Sequence, residues 1–235
     1  MTFTDELLKD MYDHNFFYVR SGANKQNVID KLNQKFKELQ KKGHCVVVFD
    51  SNYDEGQINE IANNTLHNME LEKYGCYVLD KTKIDTWKER EDCEVRMFTK
   101  NEMDDVIKRD ITMDAERLGE DFCMRRALRK GNIFINNKHI NNYLLYYKNE
   151  LIGSCELFIK DKIAKVEDFV VLEQYQRKGF GTTILKHVVC KALEEDADLI
   201  FLDTDEEDTV KEMYTKLGFS KIHENYKLIW ADWME

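Results

Sequence analysis

Residues 169–183 run from an apolar strand through a short polar loop into an amphipathic helix and read Phe169-Val170-Val171-Leu172-Glu173-Gln174-Tyr175-Gln176-Arg177-Lys178-Gly179-Phe180-Gly181-Thr182-Thr183. The first N–H groups of a helix have no partner inside the helix, and their partial positive charge suits a phosphate or pyrophosphate. Gly179 and Gly181 remove side chains that would hold the backbone away from such an anion, while Arg177 and Lys178 add formal positive charge. The segment therefore predicts an anion-binding loop.

Two better-known phosphate loops are excluded, and one plainer explanation stays open. The loop lacks the G-x-x-x-x-G-K-[ST] pattern of nucleoside triphosphatases, and no third glycine completes the G-x-G-x-x-G pattern of dinucleotide-binding folds. The plainer explanation is an ordinary strand-to-helix turn whose basic residues are solvated. The strands and helices predicted on both sides of the loop help to decide between an anion-binding loop and an ordinary turn.

Apolar segments on both sides of the loop predict a mixed α/β domain. Strands are predicted at 143–148, 151–159, 163–172 and 199–202. Apolar residues from Ile184 to Leu193 recur at helical spacing directly after the loop, and a second helix ends at Gly218. Closing strands are predicted near 219–223 and 226–230.

Two motifs in this domain resemble the GNAT superfamily of N-acetyltransferases. Residues 176–181 match its Q/R-x-x-G-x-G/A acyl-CoA signature, and Met213-Tyr214-Thr215-Lys216-Leu217-Gly218-Phe219 is similar to its second signature. The resemblance covers about residues 93–231. It implies the GNAT acyl-CoA N-acyltransferase fold, an α/β (α+β) mixed sheet, preceded here by a small α/β domain.

The resemblance also implies where acetyl-CoA, the co-substrate, binds. Backbone N–H groups of the loop and helix start hold its pyrophosphate, and its pantetheine arm pairs with a bulged strand that splays from the next one. An N–H near Val171 would polarise the thioester carbonyl. The implied binding residues are Phe169, Val170, Val171, Gln176, Arg177, Lys178, Gly179, Phe180, Gly181 and Thr182.

Tyr214 and Glu167 are the predicted catalytic residues. Tyr214 matches the general acid of the family, because a phenol with a pKa near ~10 suits protonation of a departing thiolate. Its alternative role is packing on an apolar helix face. Glu167 is the preferred base, and Glu156 is a weaker candidate. Glu207 stands where many relatives have an Asn that contacts pantetheine, which leaves that contact in doubt.

The first ~90 residues show a strand-helix-strand-helix-strand order, which predicts a small parallel sheet. A charged segment without periodicity at 80–93 places the domain boundary, giving domains 1–90 and 93–235. This order resembles the second half of the GNAT fold, so a degenerate acetyltransferase-like copy is one interpretation. The other is an unrelated module that shields the cleft or forms a homodimer.

Composition indicates which binding partners and which cellular compartment to expect. The net charge of −10 disfavours nucleic acid and favours a cationic small molecule or peptide. No apolar run approaches the ~20 residues of a membrane span, and the N-terminus does not resemble a signal peptide. The six cysteines are far apart, which indicates reduced thiols in a cytoplasmic protein and no metal site.

Taken together, the motifs favour an enzyme of the N-acetyltransferase type. The resemblance implies transfer of an acetyl group from acetyl-CoA to a primary amine of a small molecule or peptide, by direct attack in a ternary complex. The alternative is a non-catalytic acyl-CoA-binding sensor or interaction protein, which the unassigned base and Glu207 keep open.

Overall fold

The computed structural model describes residues 1–39 and 43–232, and these form two compact units. The first unit contains residues 1–76, 204–209 and the C-terminal segment from Ile222. The second contains Tyr77–Asp203 and Val210–Lys221. The predicted domains 1–90 and 93–235 have different bounds from these units. The first stretch of the first unit ends at residue 76, and the chain returns to that unit from Ile222.

The first unit is a small sheet with two helices. Its elements are β1 (Thr2–Phe3), β2 (Phe16–Val19), α1 (Lys25–Leu39), β3 (His44–Phe49), α2 (Glu55–Ala62), residues 70–76 of β4 (Glu70–Leu79) and residues 222–231 of β10 (Phe219–Ala231). The strands lie in the order β1-β2-β3-β10-β4. One face of α1, carrying Ile29, Leu32 and Phe36, is buried in the core of this unit.

The prediction of a parallel sheet for this region is only partly right. β2 and β3 are parallel, as expected for strands joined by a helix. However, β10 pairs with β3 in the antiparallel direction, from Lys227 opposite Val48 to Ala231 opposite His44. The sheet is therefore mixed, because the strand beside β3 comes from the other end of the chain and not from the local β-α-β sequence.

The second unit contains a longer mixed sheet. Its elements are β5 (Cys93–Met97), α3 (Met103–Leu118), α4 (Glu120–Asn136), β6 (Ile140–Tyr147), β7 (Glu150–Lys160), β8 (Ile163–Val171), α5 (Phe180–Glu194), β9 (Leu199–Asp205, of which 199–203 belong here), α6 (Val210–Lys216), residues 77–79 of β4 and residues 219–221 of β10. The strands lie in the order β10-β4-β9-β8-β7-β6-β5. β6, β7 and β8 form the predicted antiparallel meander.

The end of the chain differs from the prediction. Instead of two closing strands near 219–223 and 226–230, one continuous strand extends from Phe219 to Ala231. The prediction left a break between residues 223 and 226, but Glu224 and Asn225 are half-buried and lie within the strand. Strand pairing is made by the backbone, so a polar stretch need not interrupt it.

The segment 80–93, predicted as a plain connection, is packed into the second unit. A 3₁₀ helix spans Lys81–Thr86, and Ile84 and Trp87 are buried in the core with Tyr77 and Leu79 of β4. Trp87 Nε1–H donates a hydrogen bond to the carbonyl oxygen of Leu217 at 2.9 Å. The sequence hid this packing because Ile84 and Trp87 stand alone among charged and polar residues and show no regular period.

The two units repeat one strand order. In the second unit, β8-α5-β9 is a parallel strand-helix-strand, α6 and residues 219–221 of β10 follow, and residues 77–79 of β4 lie between β9 and β10. In the first unit, β2-α1-β3 is likewise parallel, α2 and β4 follow, and residues 222–231 of β10 lie between β3 and β4.

Candidate functional site

The strand β8 carries a bulge where the resemblance placed one. Two of its residues, Asp168 and Phe169, lie opposite the single residue Cys155 of β7. Asp168 has a φ of +44°, in the left-handed region that non-glycine residues rarely occupy. Backbone strain of this kind is retained when the surrounding structure holds it, and it concentrates at functional sites.

The far half of β8 is open on the side of β9. The two strands pair in parallel from Ile163 opposite Leu199 to Val166 opposite Leu202, and in the described residues this pairing goes no further. Leu172 N–H donates to the Ile152 carbonyl on β7 at 2.8 Å. Because N–H directions alternate along a strand, the N–H of Val171 points away from β7, toward the open edge.

The loop after β8 is held by its own side chains. Gln176 Nε2 donates to the Val171 carbonyl at 2.9 Å, and Lys178 Nζ donates to the Gln174 carbonyl at 2.7 Å. Arg177 and Gly179 both adopt positive φ, +58° and +87°. These two left-handed residues turn the chain into α5. The predicted role of Gln176 in ligand binding is thus accompanied by a clear structural one.

The first turn of α5 is free of acidic side chains, whereas α3 and α4 each begin with two acidic residues. Its partial positive charge is therefore not offset by residues of the turn itself.

Gly181 lies close to Phe169: a Cβ added at Gly181 would stand 3.0 Å from Cζ of that ring and 3.7 Å from Sδ of Met213. A side chain at residue 181 would therefore press on the Phe169 ring.

Arg90 contacts the loop and the start of α5, a role that no sequence motif indicates. Its backbone N–H donates to Thr183 Oγ1 at 2.9 Å, and Nη1 donates to the Lys178 carbonyl at 2.8 Å. The guanidinium carbon lies 4.3 Å from the centroid of the Phe180 ring. The carboxylate of Asp92 holds the other edge of the guanidinium, at 2.6 and 2.9 Å. A single arginine in a charged segment gave no sequence signal for this role.

Tyr214 lies near the bulge. It is buried, its ring centroid is 6.1 Å from that of Phe169 and 5.8 Å from that of Phe219, and both pairs meet edge to face. The packing role that the sequence left open is therefore present. Because Phe169 also contacts Gly181, the structure brings Tyr214, the bulge and the start of α5 into one neighbourhood.

Glu167, the preferred base, is engaged in an ion pair. Its Oε1 lies 2.5 Å from Lys165 Nζ, which also reaches Asp203 Oδ2 at 3.0 Å. The carboxylate of Glu167 therefore has a cationic partner on its own strand. Asp168, the next residue on β8, contacts Lys130 instead.

Glu156 on β7 is in a different environment. It is buried, and its Oε1 lies 2.6 Å from Nζ of Lys130 on α4, which also contacts Asp168. Burial raises the pKa of Glu156 to about 8, although the charge of Lys130 acts to lower it. A carboxyl group with a pKa near neutrality can take up and release a proton at physiological pH.

A second set of buried charges lies between α3, α4 and β7. Arg109 of α3 contacts Ser154 of β7 and donates to Asp110 Oδ1 at 2.6 Å and 3.1 Å. Asp110 Oδ2 lies 3.5 Å from Arg126 of α4. Breaking such a buried pair leaves an uncompensated charge, so the network holds α3 and α4 in one arrangement over β7.

The described part of the chain contains neither a metal-binding cluster nor a membrane-spanning helix. No group of three or more His, Cys, Asp or Glu side chains stands close enough to hold a metal ion. In the same residues, no helix has both the length and the apolar character of a membrane span. All six cysteines are free thiols.

Comparison with known proteins identifies the class. The acetyltransferase (GNAT) family matches residues 108–219. An uncharacterized N-acetyltransferase, CgeE of Bacillus subtilis, is 36% identical over 72 residues, which is 30% of this chain and 28% of that protein. The matched segment thus spans about a quarter of the length of that relative.

Solved structures extend the likeness to nearly the whole chain. A conserved protein of unknown function from Staphylococcus epidermidis has a TM-score of 0.74 at 19% identity, covering 95% of this chain and 86% of that one. A GCN5-related N-acetyltransferase from Kribbella flavida has a TM-score of 0.58 at 10% identity, covering 93% and 82%. At these identities the likeness concerns the fold.

The bulged β8, its loop and the start of α5 all lie within residues 108–219. These residues, just under half of the chain, match the acetyltransferase (GNAT) family. The resemblance based on residues 176–181 and 213–219 is therefore confirmed, as is the expected mixed α/β fold class. This match supports an acetyltransferase and implies an acyl-CoA donor.

Proposed function

We propose that this protein transfers an acetyl group from acetyl-CoA to a primary amine of a small molecule or peptide, by direct attack in a ternary complex. One observation carries the proposal: the open edge of β8 beyond Val166 leads directly into a loop and a helix start suited to an anion. An elongated thioester with a pyrophosphate at one end matches both features.

The residues of the loop suit the donor. N–H groups from Arg177 to Thr182 bind the pyrophosphate, and Gln176 anchors the loop to Val171. The backbone of Phe169, Val170 and Val171 pairs with the pantetheine arm. Bound acetyl-CoA supplies an acetyl group activated as a thioester. The N–H of Val171 donates to its carbonyl oxygen and stabilises the charge that develops there.

Proton transfers complete the reaction. The amine nitrogen forms a bond to the carbonyl carbon, the carbon–sulfur bond breaks, and the electron pair leaves with the thiolate. Tyr214 donates its phenolic proton to that sulfur. The amine proton passes to a carboxylate, for which we propose Glu156 with Asp168, because burial raises the pKa of Glu156 to about 8.

The acceptor is an amine of a small molecule or peptide, and the acidic chain favours a cationic one. Six free cysteines favour a reducing, cytoplasmic setting for the reaction.

We also propose that the first unit is a degenerate copy of the second half of the fold, because both units share one strand order. Its loop between β2 and α1 contains only Gly22, not two glycines, so one acetyl-CoA per chain is expected.

The test measures release of free CoA thiol from acetyl-CoA against a panel of amines, with calorimetric titration of acetyl-CoA in parallel. Amine-dependent release with one bound acetyl-CoA per chain supports the enzyme. Tight binding without release for any amine supports the alternative, a non-catalytic acyl-CoA sensor. No binding contradicts both.

A pair of double variants tests the loop. Arg177→Gln with Lys178→Gln removes two positive charges beside the pyrophosphate and should weaken acetyl-CoA binding about tenfold. Lys160→Gln with Lys162→Gln makes the same charge change in the turn before β8, at the other end of that strand, and should leave binding unchanged. Equal effects of the two pairs would mean that only net charge matters.

A further inference from the structure

A cavity of about 300 Å³ lies in the first unit, between β2 and the N-terminal half of α1. Its apolar wall is formed by Phe17 and Val19 of the strand and by Val28 and Leu32 of the helix. Phe17 and Val19 share a strand face, and Val28 and Leu32 share a helix face. The volume falls at the lower end of the roughly 300–1,000 Å³ of small-molecule pockets.

The rim of this cavity is polar and carries only positive charge. It contains Arg20, Lys31 and the amides Asn24 and Asn27, and no Asp or Glu lines it. Within residues 1–39 and 43–232, neither Arg20 nor Lys31 has a carboxylate partner. Lys31 Nζ instead lies 5.3 Å from the Phe17 ring centroid. Arg20 and Lys31 are exposed cations without a carboxylate partner among the described residues, and their position beside an apolar wall suits an anionic ligand.

We propose that this cavity binds a small organic carboxylate with an aromatic or branched apolar body. The carboxylate lies between Arg20 and Lys31, where charge-assisted hydrogen bonds are short and strong. The apolar body lies against Phe17, Val28 and Leu32. The proposal does not depend on acyl transfer, because none of these residues belongs to the acetyl-CoA site described above.

The probe is 3-phenylpropionate, titrated into the ¹⁵N-labelled full chain and followed by amide chemical shifts. The matched control ligand is 3-phenylpropylamine, which has the same ring and chain length but the opposite charge. We expect saturable shifts at Val19, Asn27, Val28 and Lys31 with the carboxylate and none with the amine. A parallel titration in the presence of saturating CoA should give the same shifts.

Variants assign the binding to this cavity. Arg20→Gln and Lys31→Gln should each weaken the carboxylate about tenfold, since each removes one charge-assisted contact. Lys37→Gln removes an exposed lysine of the same helix outside the cavity lining and should leave affinity unchanged. Val28→Phe fills the cavity without altering either charge and should also abolish the shifts.

Several results would overturn the proposal. Equal binding of the amine would show that charge plays no part, and unchanged affinity in the Arg20→Gln and Lys31→Gln chains would show that these cations are not ligands. Shifts confined to residues 169–183 would place the probe at the acetyl-CoA site. The absence of saturable shifts up to about 10 mM would leave no specific site.

Discussion

Lys130 Nζ lies 2.6 Å from Glu156 Oε1, and the same ammonium group contacts Asp168 on the bulge of β8. Glu156 is buried, while the Asp168 side chain is more than half exposed. Lys130 thus links the bulge to a buried carboxyl group whose pKa burial raises to about 8. On this geometry we propose Glu156 as the general base.

We predict that Glu156→Gln lowers kcat by about 10²-fold or more, the usual contribution of general base catalysis. The pKa of Glu156 is raised, so its carboxylate form is scarce well below pH 8 and dominant above it. Wild-type kcat should therefore rise through about pH 8, and the variant should lose that inflection. The measurement is kcat from pH 6 to 10 at saturating substrates, with thermal unfolding to check the fold.

Glu167→Gln is the matched control for Glu156→Gln, because it removes a carboxylate from the neighbouring strand position opposite Glu156. It should retain the inflection near pH 8 and most of kcat. The reverse result, a silent Glu156→Gln and an inactive Glu167→Gln, would restore Glu167 as the base despite its ion pair with Lys165.

Tyr214→Phe should lower kcat by roughly 10²-fold with little change in the Kd of acetyl-CoA, because the phenol protonates the departing thiolate but does not hold the pyrophosphate. The ring contacts with Phe169 and Phe219 are kept by phenylalanine. The readouts are kcat across the pH range and calorimetric affinity for acetyl-CoA.

Tyr143→Phe serves as the control for Tyr214→Phe, since Tyr143 is another buried tyrosine of the second unit. It should leave kcat unchanged. If Tyr214→Phe also keeps its full kcat at every pH, the role of Tyr214 is packing alone.

The sequence was sufficient for the parts of the fold that depend on local pattern. The meander from β6 to β8, the loop at 176–181 and the apolar face of α5 were all predicted, because strand alternation, glycine spacing and helical period are written in neighbouring residues. The position of β10 between β3 and β4 was not predicted. It depends on pairing between residues about 180 positions apart, which no local pattern encodes.

The same limit applies to the site. Glu156 was only a weak candidate, because its partner Lys130 lies on a helix 26 residues away and its burial is a property of the folded unit. Arg90 was missed because its contacts with Lys178 and Thr183 span about 90 residues. Sequence motifs locate backbone loops well, but the side chains that tune or support them come from distant positions.

Arg90 is a positioning residue, and Arg90→Ala should raise the KM and Kd for acetyl-CoA about tenfold while kcat at saturation stays within about twofold. The reason is that Arg90 holds the Lys178 carbonyl and covers Phe180, which fixes the loop before the ligand binds. Arg90→Lys, which keeps the charge but not the planar contacts, should recover only part of the affinity.

Arg96→Ala is the matched control for Arg90→Ala. Arg96 also pairs with a nearby carboxylate, Glu94 at 2.6 Å, and stacks over a tyrosine ring, but it does not contact the loop. It should leave both constants unchanged. A fall in kcat of Arg90→Ala that matches its fall in kcat/KM would place Arg90 in the chemical step and contradict a positioning role.

Trp87 tests whether the segment before residue 93 is part of the second unit. Its side chain is 4% exposed, packs 6.2 Å from the Phe219 ring centroid and donates to the Leu217 carbonyl. Trp87→Ala should lower the free energy of unfolding by about 3–5 kcal/mol, as large-to-small core substitutions do. Trp87→Phe keeps most of the apolar contact and loses the hydrogen bond, so it should cost about 1 kcal/mol from that bond.

Urea unfolding followed by circular dichroism measures both Trp87 variants against Leu128→Ala, an exposed apolar site of the same unit that should change stability by less than about 0.5 kcal/mol. If Trp87→Ala unfolds at the same urea concentration as the wild type, residues 80–90 contribute nothing to the second unit, and a domain that begins at residue 93 becomes the better division. If it unfolds much earlier, removal of residues 1–90 would also take Tyr77, Leu79 and Ile84 from the core of the second unit. That truncation would then fail to fold for reasons unrelated to catalysis, so the contribution of the first unit has to be tested by substitutions within residues 1–76.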